Sequence, residues 1–355
     1  MKKSLIALAV LAASSASFAQ SSVTVYGLAD IWFGSTKVDD GKGTSVTNTV
    51  LNSGGVNTSR WGLKGAEDLG GGLKAIFKFE QGFKLDTGVA KSTDDIFGNS
   101  TGNQAFSRES FVGFAGGFGE VRFGKTWTAY DDVSGASDAV FDSALSPMNN
   151  VFRSTAYLGN PGNTIYYSTP NYSGFAGAIS YSLGENAVYP TPVPGVTVKD
   201  PSILSLNMTY ESGPLALQLG YQGQAATTNN SILMTSSDDT AEFWRVGGSW
   251  NFGMATVKGT YGSVKNLGNI NGNDADEYQI GADFPMGAWV FSASYAASQG
   301  KGIVTKDAQG YGLGATYTLS KRTFLYGGYN YNTYEQQNAS DANTQILAVG
   351  VQHKF

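Results

Sequence analysis

Apolar and polar positions alternate along most of this chain, in stretches of about ten residues. In one stretch, alternate positions carry large apolar side chains, with glycine or threonine between them: Tyr311, Leu313, Ala315, Tyr317 and Leu319. A period of two places successive side chains on opposite faces of an extended strand. About sixteen such stretches can be counted, and about ten residues is the length of a tilted strand that crosses the hydrocarbon of a bilayer. The pattern therefore predicts about sixteen strands, each with two chemically different faces.

The connections between these stretches also alternate, between short and long. Short turns are expected at residues 67–72, 116–119, 169–174, 212–213, 251–253, 285–287 and 320–322. Longer polar stretches lie between the resulting hairpins, at about 34–57, 84–104, 128–162, 184–201, 224–240, 265–274, 298–307 and 335–344. A soluble sandwich would scatter long connections over both ends. Tight turns at one rim and long loops at the other predict an all-β fold, a 16-stranded antiparallel transmembrane β-barrel.

Barrel closure also explains why the chain ends on a strand, "ILAVGVQHKF". The last strand can pair with the first, so neither presents an open edge to lipid. Each unsatisfied backbone group would cost several kcal/mol there.

The first nineteen residues have the form of an export signal. Lys2 and Lys3 precede the apolar run Leu5–Ala13, and small residues lead up to Ala19. The run is too short for a spanning helix, and no later apolar segment is long enough for one. We expect a signal peptide over residues 1–19 and one barrel domain over residues 20–355.

Charge and composition exclude several classes of function. The chain has 23 basic and 28 acidic residues. Loss of two lysines with the leader lowers the net charge from −5 to about −7, which argues against a nucleic-acid partner. The absence of cysteine excludes disulfides, thiolate catalysis and sulfur-ligated zinc. Forty-seven glycines with 19 tyrosines and 20 phenylalanines favour strands.

Little in the chain supports catalysis. His353 is the only histidine, and it shares a face with Leu347, Val349, Val351 and Phe355. A catalytic triad or a histidine-ligated metal would need a histidine on the polar face, or a second histidine. We interpret His353 as a membrane-interface residue near the short-turn rim, and we expect neither a cofactor nor a metal.

Charged residues that alternate with apolar ones are candidates for the wall of an aqueous lumen. A charge facing lipid at the midplane costs about 2–4 kcal/mol, so such residues should face water or lie at a rim. The wall candidates are Arg60, Lys64, Lys78, Glu80, Arg108, Arg122 and Lys125. Arg122 and Lys125 are three positions apart, so on a regular strand they would point to opposite faces. At least one of them therefore lies near a strand end or a bulge.

The stretch 128–162 is acidic and rich in small residues. It carries Asp131, Asp132, Asp138 and Asp142, with no basic residue before Arg153. It could be a solvated surface turn, or it could fold inward and face the basic wall across a narrowed lumen. Opposed charges would then create a transverse field that biases passage by charge, whereas ordinary solvated lumen residues would have no selective role.

With these segments in hand, the chain resembles the general porins of the β-proteobacterial outer membrane. The matching segments are "SSVTVYGLADIW", "SRWGLKGAEDLGGGLKAIFKFEQGF", "SRESFVGFAGGFGEVRFGKTW", "NTIYYSTPNYSGFAGAISY", "LSKRTFLYGGYNY" and "ILAVGVQHKF". They span the chain after the leader, and the loops are the divergent parts.

The resemblance implies a sixteen-stranded barrel in a homotrimer, with the third long loop folded into each lumen. It implies that Arg60, Glu80 and Arg108 line that constriction, that the loop at about 84–104 reaches a neighbouring subunit, and that Phe355 is read by the outer-membrane assembly machinery. Members of the group often carry a basic residue where Tyr166 stands in "NTIYYSTP".

We expect a passive, water-filled pore for ions and small hydrophilic solutes, in a Gram-negative outer membrane with its lipid and lipopolysaccharide. A substrate-selective channel with a saturable site is the alternative within transport. A barrel adhesin with a plugged lumen, or a barrel enzyme, would belong to a different class. Conductance with specific solute block, or cell binding without conductance, would distinguish them.

Overall fold

The computed structural model describes residues 22–91, 93–94, 100–101, 105–184, 202–225, 239–303 and 306–355. The expected export signal, residues 1–19, lies outside the described residues, as do parts of four long connections. The strands are β1 Ser22–Asp39, β2 Ser45–Ser53, β3 Arg60–Gly70, β4 Leu73–Gly82, β5 Thr93–Asp94, β6 Ser100–Thr101, β7 Glu109–Gly116, β8 Gly119–Lys125, β9 Thr164–Ser168, β10 Phe175–Ser182, β11 Ile203–Ser212, β12 Leu215–Gln224, β13 Ala241–Asn251, β14 Thr256–Lys265, β15 Asn273–Met286, β16 Trp289–Gly302, β17 Ala308–Thr318, β18 Thr323–Tyr334 and β19 Ala342–Lys354.

The helical segments within the described residues are short. They are α1 Asp131–Ser134, α2 Pro147–Val151 and the 3₁₀ turns Arg153–Thr155 and Leu267–Asn269. None of these helices is long and apolar enough to cross a membrane.

The strands close into a sixteen-stave antiparallel barrel. β1 pairs with β19 from Leu28 opposite Lys354 to Asp39 opposite Asn343, and this pairing closes the ring. β2 and β3 pair with successive parts of the same strand, β1, so the two segments form one stave. Seventeen segments therefore make sixteen staves, as the alternation predicted. The short pair β5 and β6 stands apart from the barrel.

All seven expected short turns join neighbouring staves, but the expected loop at 34–57 is wrong. β1 continues to Asp39 and β2 begins at Ser45, so the connection is only residues 40–44. The polar side chains of this stretch give it a composition that is typical of a loop. Backbone pairing on both sides of β1 nevertheless keeps the stretch extended.

The two faces of the staves differ as the alternation predicts. Outward positions carry large exposed apolar side chains, such as Val25, Ile280 and Leu347. Inward positions carry polar, charged or small residues. This apolar-out, polar-in arrangement suits a barrel surrounded by lipid and filled with water.

Asp30 anchors the interruption between β2 and β3. Its buried carboxylate accepts backbone N–H groups from Gly55 at 2.9 Å, Val56 at 3.2 Å and Asn57 at 2.9 Å. The Tyr326 hydroxyl donates a further hydrogen bond of 2.6 Å to the same group. Successive N–H groups that converge on one carboxylate hold this bend in place against the inner wall.

The chain end continues the sheet. The N–H and C=O of Phe355 pair with the C=O and N–H of Gly27, at 3.0 Å each. The phenyl ring covers Gly27, since a β-carbon placed there would lie 2.1 Å from Cζ of Phe355. The last residue is therefore part of the closing seam.

Candidate functional site: a charged wall facing an inner loop

Residues 126–163, called the inner loop from here on, lie inside the barrel. The loop backbone is hydrogen-bonded to lumen-facing groups around the ring: Ala129 N to Ser180 Oγ, Tyr130 N to Ser205 Oγ, Asp138 O to Lys258 Nζ, and Ala144 N to Gly55 O. These anchors fall on β10, β11 and β14 and on the bend between β2 and β3. The loop therefore runs along the larger part of the inner wall and leaves uncovered the arc formed by β3, β4 and β7 to β9.

Two buried residues of opposite charge, Arg245 and Glu277, hold the two limbs of the inner loop. The Arg245 guanidinium donates to the Ser134 carbonyl on the outgoing limb and, at 2.7 Å, to Ser154 Oγ on the returning limb. The Glu277 carboxylate accepts the backbone N–H groups of Arg153 and Ser154. Both charged residues are almost fully buried, so these partners replace the lost hydration.

Glu80 is the centre of a charge cluster on the uncovered wall. Its carboxylate accepts hydrogen bonds from Arg108 Nε at 2.6 Å and from the Tyr26 hydroxyl at 2.7 Å. Arg60 Nε and Lys78 Nζ lie 3.7 and 3.6 Å from it. The structure thus brings four of the seven predicted wall residues into one network.

Of the other wall candidates, Arg122 and Lys64 lie on the same face as this cluster, whereas Lys125 does not. Arg122 faces the lumen, with its guanidinium carbon 5.2 Å from the centre of the Phe111 ring and 4.6 Å from that of Tyr166. Lys64 Nζ lies 5.1 Å from the centre of the Tyr26 ring, on the same face. Lys125 has the opposite parity at the end of β8, and its ammonium donates to the Asn160 carbonyl at 2.6 Å.

Five cations therefore share this face, and we call them the basic wall: Arg60, Lys64, Lys78, Arg108 and Arg122. Two of the carboxylates beside them, Glu80 and Glu109, are less exposed, whereas Glu120, which pairs with Arg122, is 30% exposed against 23% for that arginine. The side chain of Glu80 is 3% exposed, against 23% for Arg60 and 25% for Lys78. Glu109, which pairs with Lys78, is 4% exposed. The wall consequently presents positive charge to the water and keeps most of its negative charge underneath.

The four predicted loop aspartates differ in their surroundings. Asp138 is buried, and Asp131 is half-buried and accepts a hydrogen bond of 2.6 Å from the Tyr157 hydroxyl. Asp132 and Asp142 are exposed. Asp132 is hydrogen-bonded to Tyr166, and Asp142 accepts a hydrogen bond of 2.8 Å from Asn149. Two of the four carboxylates thus reach the water of the lumen.

Burial changes the protonation of three of these groups. It raises the pKa of Asp131 to about 7, although the hydrogen bond from Tyr157 opposes the shift. Burial likewise raises the pKa of Asp132 and of Asp138 to about 6 each. Near neutral pH, Asp131 is therefore the one of these three that most readily keeps a proton, whereas Asp132 and Asp138 are mostly ionised.

The two charged surfaces lie on opposite sides of the ring. Lys258, which contacts the loop at Asp138, stands on β14, eight staves from the β4 that carries Lys78 and Glu80. Eight is half of the sixteen staves. The segment that carries Asp138 and Asp142 therefore faces the basic wall across the bore.

Sequence reasoning missed several residues of this site. Tyr26, Glu109, Arg245 and Glu277 lie on the lumen side of their strands. The same parity rule that found Arg60 could have found them. No local signal marks which of them meet, because their partners are remote in sequence.

His353 lies where the alternation placed it. It is exposed on the outer face, beside the turn at 319–322, and its Nδ1 lies 2.9 Å from Thr323 Oγ1. The ring takes no part in the charged network of the lumen.

Comparisons with known proteins agree with the barrel fold. Residues 5–337 match the family described as Gram-negative porin. The outer membrane porin protein 32 of Delftia acidovorans is 35% identical, with 99% of this chain and 95% of the relative covered. An outer membrane porin protein of Bordetella pertussis is 29% identical over the full length of both chains.

Solved structures give the same result for the fold. An anion-selective porin from Comamonas acidovorans superposes with a TM-score of 0.74 at 27% identity, covering 95% of this chain and 100% of that one. The trimer form of OmpT from Vibrio cholerae has a TM-score of 0.66 at 19% identity, covering 94% and 99%, and shows a shared fold.

Proposed function

The chain belongs to the Gram-negative porin family, so it forms an outer-membrane channel, and we propose that the basic wall and the inner loop together narrow that channel and give it a weak preference for anions. The arrangement suits passive diffusion of ions and small hydrophilic solutes. We assign it no catalytic step, and the described residues require none to account for the charged site.

The exposure difference within the Glu80 cluster carries this proposal. Arg60, Lys78 and Arg108 cover Glu80, so a passing ion meets the cations first. Anions therefore gain attraction from the wall, while the buried carboxylate acts over a longer distance. The preference is weak because Asp132 and Asp142 lie on the loop and Tyr166 is uncharged. The anion selectivity named for the Comamonas porin is consistent with this sign.

Opposed charges across the bore also favour polar solutes. A field between the basic wall and Asp142 orients dipoles and attracts water, so an apolar solute gains nothing from entering. A saturable solute site is the alternative, and the described residues give no specific observation in its favour.

The decisive measurement is the zero-current potential of purified protein in a planar bilayer under a potassium chloride gradient. We expect stepwise conductance and a potential whose sign corresponds to chloride permeating faster than potassium. A potential of the opposite sign would exclude the proposed bias, and a folded protein that conducts no current would exclude the open pore as well.

Three further proposals concern maturation and assembly. We propose cleavage after Ala19, which leaves residues 20–355 as the mature barrel. We also propose a homotrimer in lipid and lipopolysaccharide, with the loop at 84–104 reaching a neighbour. Finally, we propose that Phe355 is recognised by the assembly machinery. The trimer form of an outer membrane protein with the same fold supports the second proposal.

A further inference from the structure

Five glycines follow the inner loop around the inner wall. They lie at lumen-facing positions on four staves: Gly220 on β12, Gly247 on β13, Gly281 on β15, and Gly312 and Gly314 on β17. At each of them the nearest atom to an added β-carbon belongs to the inner loop. We call this set the glycine track.

The distances are too short for any side chain. A β-carbon on Gly220 would lie 2.9 Å from Tyr130, and one on Gly247 would lie 2.6 Å from Ser137 Oγ. For the rest, the closest loop atoms are Ala139 Cβ at 2.5 Å for Gly281, Leu145 O at 2.4 Å for Gly312, and Phe141 Cζ at 2.4 Å for Gly314. Real β-carbons do not approach other atoms this closely, so either the loop or the wall would have to move.

Backbone conformation does not explain these glycines. None of the five has a positive φ, so the chain could accept L side chains there. At Gly281 the neighbouring strand is also close, with Ala293 O at 2.6 Å. At Gly220, Gly247, Gly312 and Gly314 the closest contact comes from the loop. The space that they leave is therefore occupied by the loop.

The uncovered part of the wall differs in what its glycines contact. It carries the side chains of Arg60, Lys64, Lys78 and Arg122, and a β-carbon on its lumen-facing Gly62 or Gly113 would lie closest to a neighbouring strand, at Phe79 O or Val121 O, and not to the loop. The glycine track therefore forms a seat for the loop on the covered part of the wall. We propose that the glycine track sets how far the inner loop recedes into the wall, and thereby the width of the pore.

This inference rests on the proposed function, because it requires the inner loop to limit the bore. Gly312 and Gly314 are then positioning residues that act through the loop. A side chain at Gly314 would push Phe141 and Val140 away from the wall, whereas one at Gly312 would push the loop backbone at Leu145. The second displacement should be larger because a backbone cannot rotate out of the way.

The test compares Gly314→Leu and Gly312→Leu with Gly259→Leu by single-channel conductance and by exclusion of neutral polymers of graded size. Gly259 lies on the outer face of β14, where the nearest atom to an added β-carbon is 3.7 Å away. We expect Gly259→Leu to conduct like the parent. Both track variants should lose conductance and exclude smaller polymers, with Gly312→Leu losing more.

A compensating substitution distinguishes a change in how far the loop recedes into the wall from general disruption of the barrel. Phe141→Ala removes the ring that meets Gly314, so the double variant Gly314→Leu/Phe141→Ala should recover conductance and the polymer limit. If the double variant remains as narrow as Gly314→Leu, or if Gly314→Leu conducts like the parent, the track does not set the pore width.

Ala136→Trp distinguishes failure of this inference from failure of the proposed function. Ala136 is exposed on the inner loop, so a tryptophan there should reduce conductance if the loop limits the bore. Reduced conductance in Ala136→Trp with parental conductance in Gly314→Leu would overturn the glycine track alone. Parental conductance in both would overturn both proposals. Unboiled electrophoresis confirms that each variant is folded.

Discussion

The hydroxyl of Tyr166 donates a hydrogen bond of 2.7 Å to the carboxylate of Asp132, and this bond joins the uncovered wall to the inner loop. The other side of the contact is cationic, because the Tyr166 ring centre lies 4.6 Å from the guanidinium carbon of Arg122. Tyr166 therefore stands between a cation and a carboxylate. It occupies the position at which porins of the resembled group often carry a basic residue.

Replacing Tyr166 with lysine should strengthen the preference for anions. The new ammonium would lie near Asp132 and Arg122, and at ~8 Å in water it would attract a monovalent anion by about 0.5 kcal/mol. That energy corresponds to about a twofold enrichment of anions. Zero-current potentials in a salt gradient measure the change. Tyr166→Phe adds no charge and serves as the control, and equal potentials for the two variants would contradict the expectation.

Replacing Arg108 with glutamine should weaken the preference for anions and destabilise the barrel. Glu80 would lose its closest cation while remaining 3% exposed, at a cost of about 1–3 kcal/mol. The zero-current potential and the unfolding midpoint in denaturant report the two effects. Lys321→Gln, in the exposed turn at 319–322, removes the same charge outside the cluster and should change neither quantity. An unchanged potential in Arg108→Gln would place Arg108 outside the conduction path.

Assembly of the barrel should be sensitive to substitution of Gly27, which lies in the closing seam. Any side chain there collides with the ring of Phe355, whose Cζ lies 2.1 Å from the β-carbon position. We expect Gly27→Val to reduce the amount of assembled barrel in the outer membrane, as Phe355→Ser should. Heat-modifiable migration in unboiled electrophoresis measures assembly, and Gly259→Val is the matched control. Normal assembly of both seam variants would remove Phe355 from the assembly step.

Stability should depend on pH through Asp138. Burial raises its pKa to about 6, and Asp142 adds to the shift, whereas a hydrogen bond from Ser146 and the charge of Lys258 oppose it. Between the ordinary pKa of 3.8 and about 6, the folded protein keeps a proton that the unfolded chain releases. The contribution of this group is therefore greatest below about pH 4 and is lost as the pH rises to about 6, by up to about 3 kcal/mol.

Asp138→Asn isolates that contribution. The amide has the same shape and no charge, so the variant should be more stable than the parent at neutral pH and should lose this part of the pH dependence. Unfolding midpoints of both proteins in detergent, at about pH 4 and about pH 7, give the difference. If the parent and the variant change in parallel with pH, Asp138 does not titrate in this range.

The barrel itself could be predicted from local patterns. The alternation around Tyr311 and Leu313, and the short turns such as 212–213, are properties of neighbouring residues. One prediction failed for the same reason: residues 34–57 are polar, yet β1 extends to Asp39 because β2 and β19 pair with it there. Polar composition indicated a loop, and the pairing that overrides it is invisible in a local window.

For the candidate site, the sequence could predict only which residues face the lumen. Alternation along the strands identified Arg60, Lys78 and Glu80 as lumen residues, and it left Arg122 and Lys125 to be distinguished by the structure. Parity could not show that Glu80 is covered by three cations, or that Asp138 is buried while Asp142 is exposed. Those properties depend on contacts between staves and loop that are distant in sequence.

The sequence by itself determined that the chain forms two-faced strands joined by alternating short and long connections, because a period of two and the turn residues act over a few neighbouring positions. Only the tertiary structure decided which part of the wall the inner loop covers, which charges meet water, and why glycines lie beneath the loop. Burial and distance across the barrel arise after closure, when residues remote from one another in the chain are brought into contact.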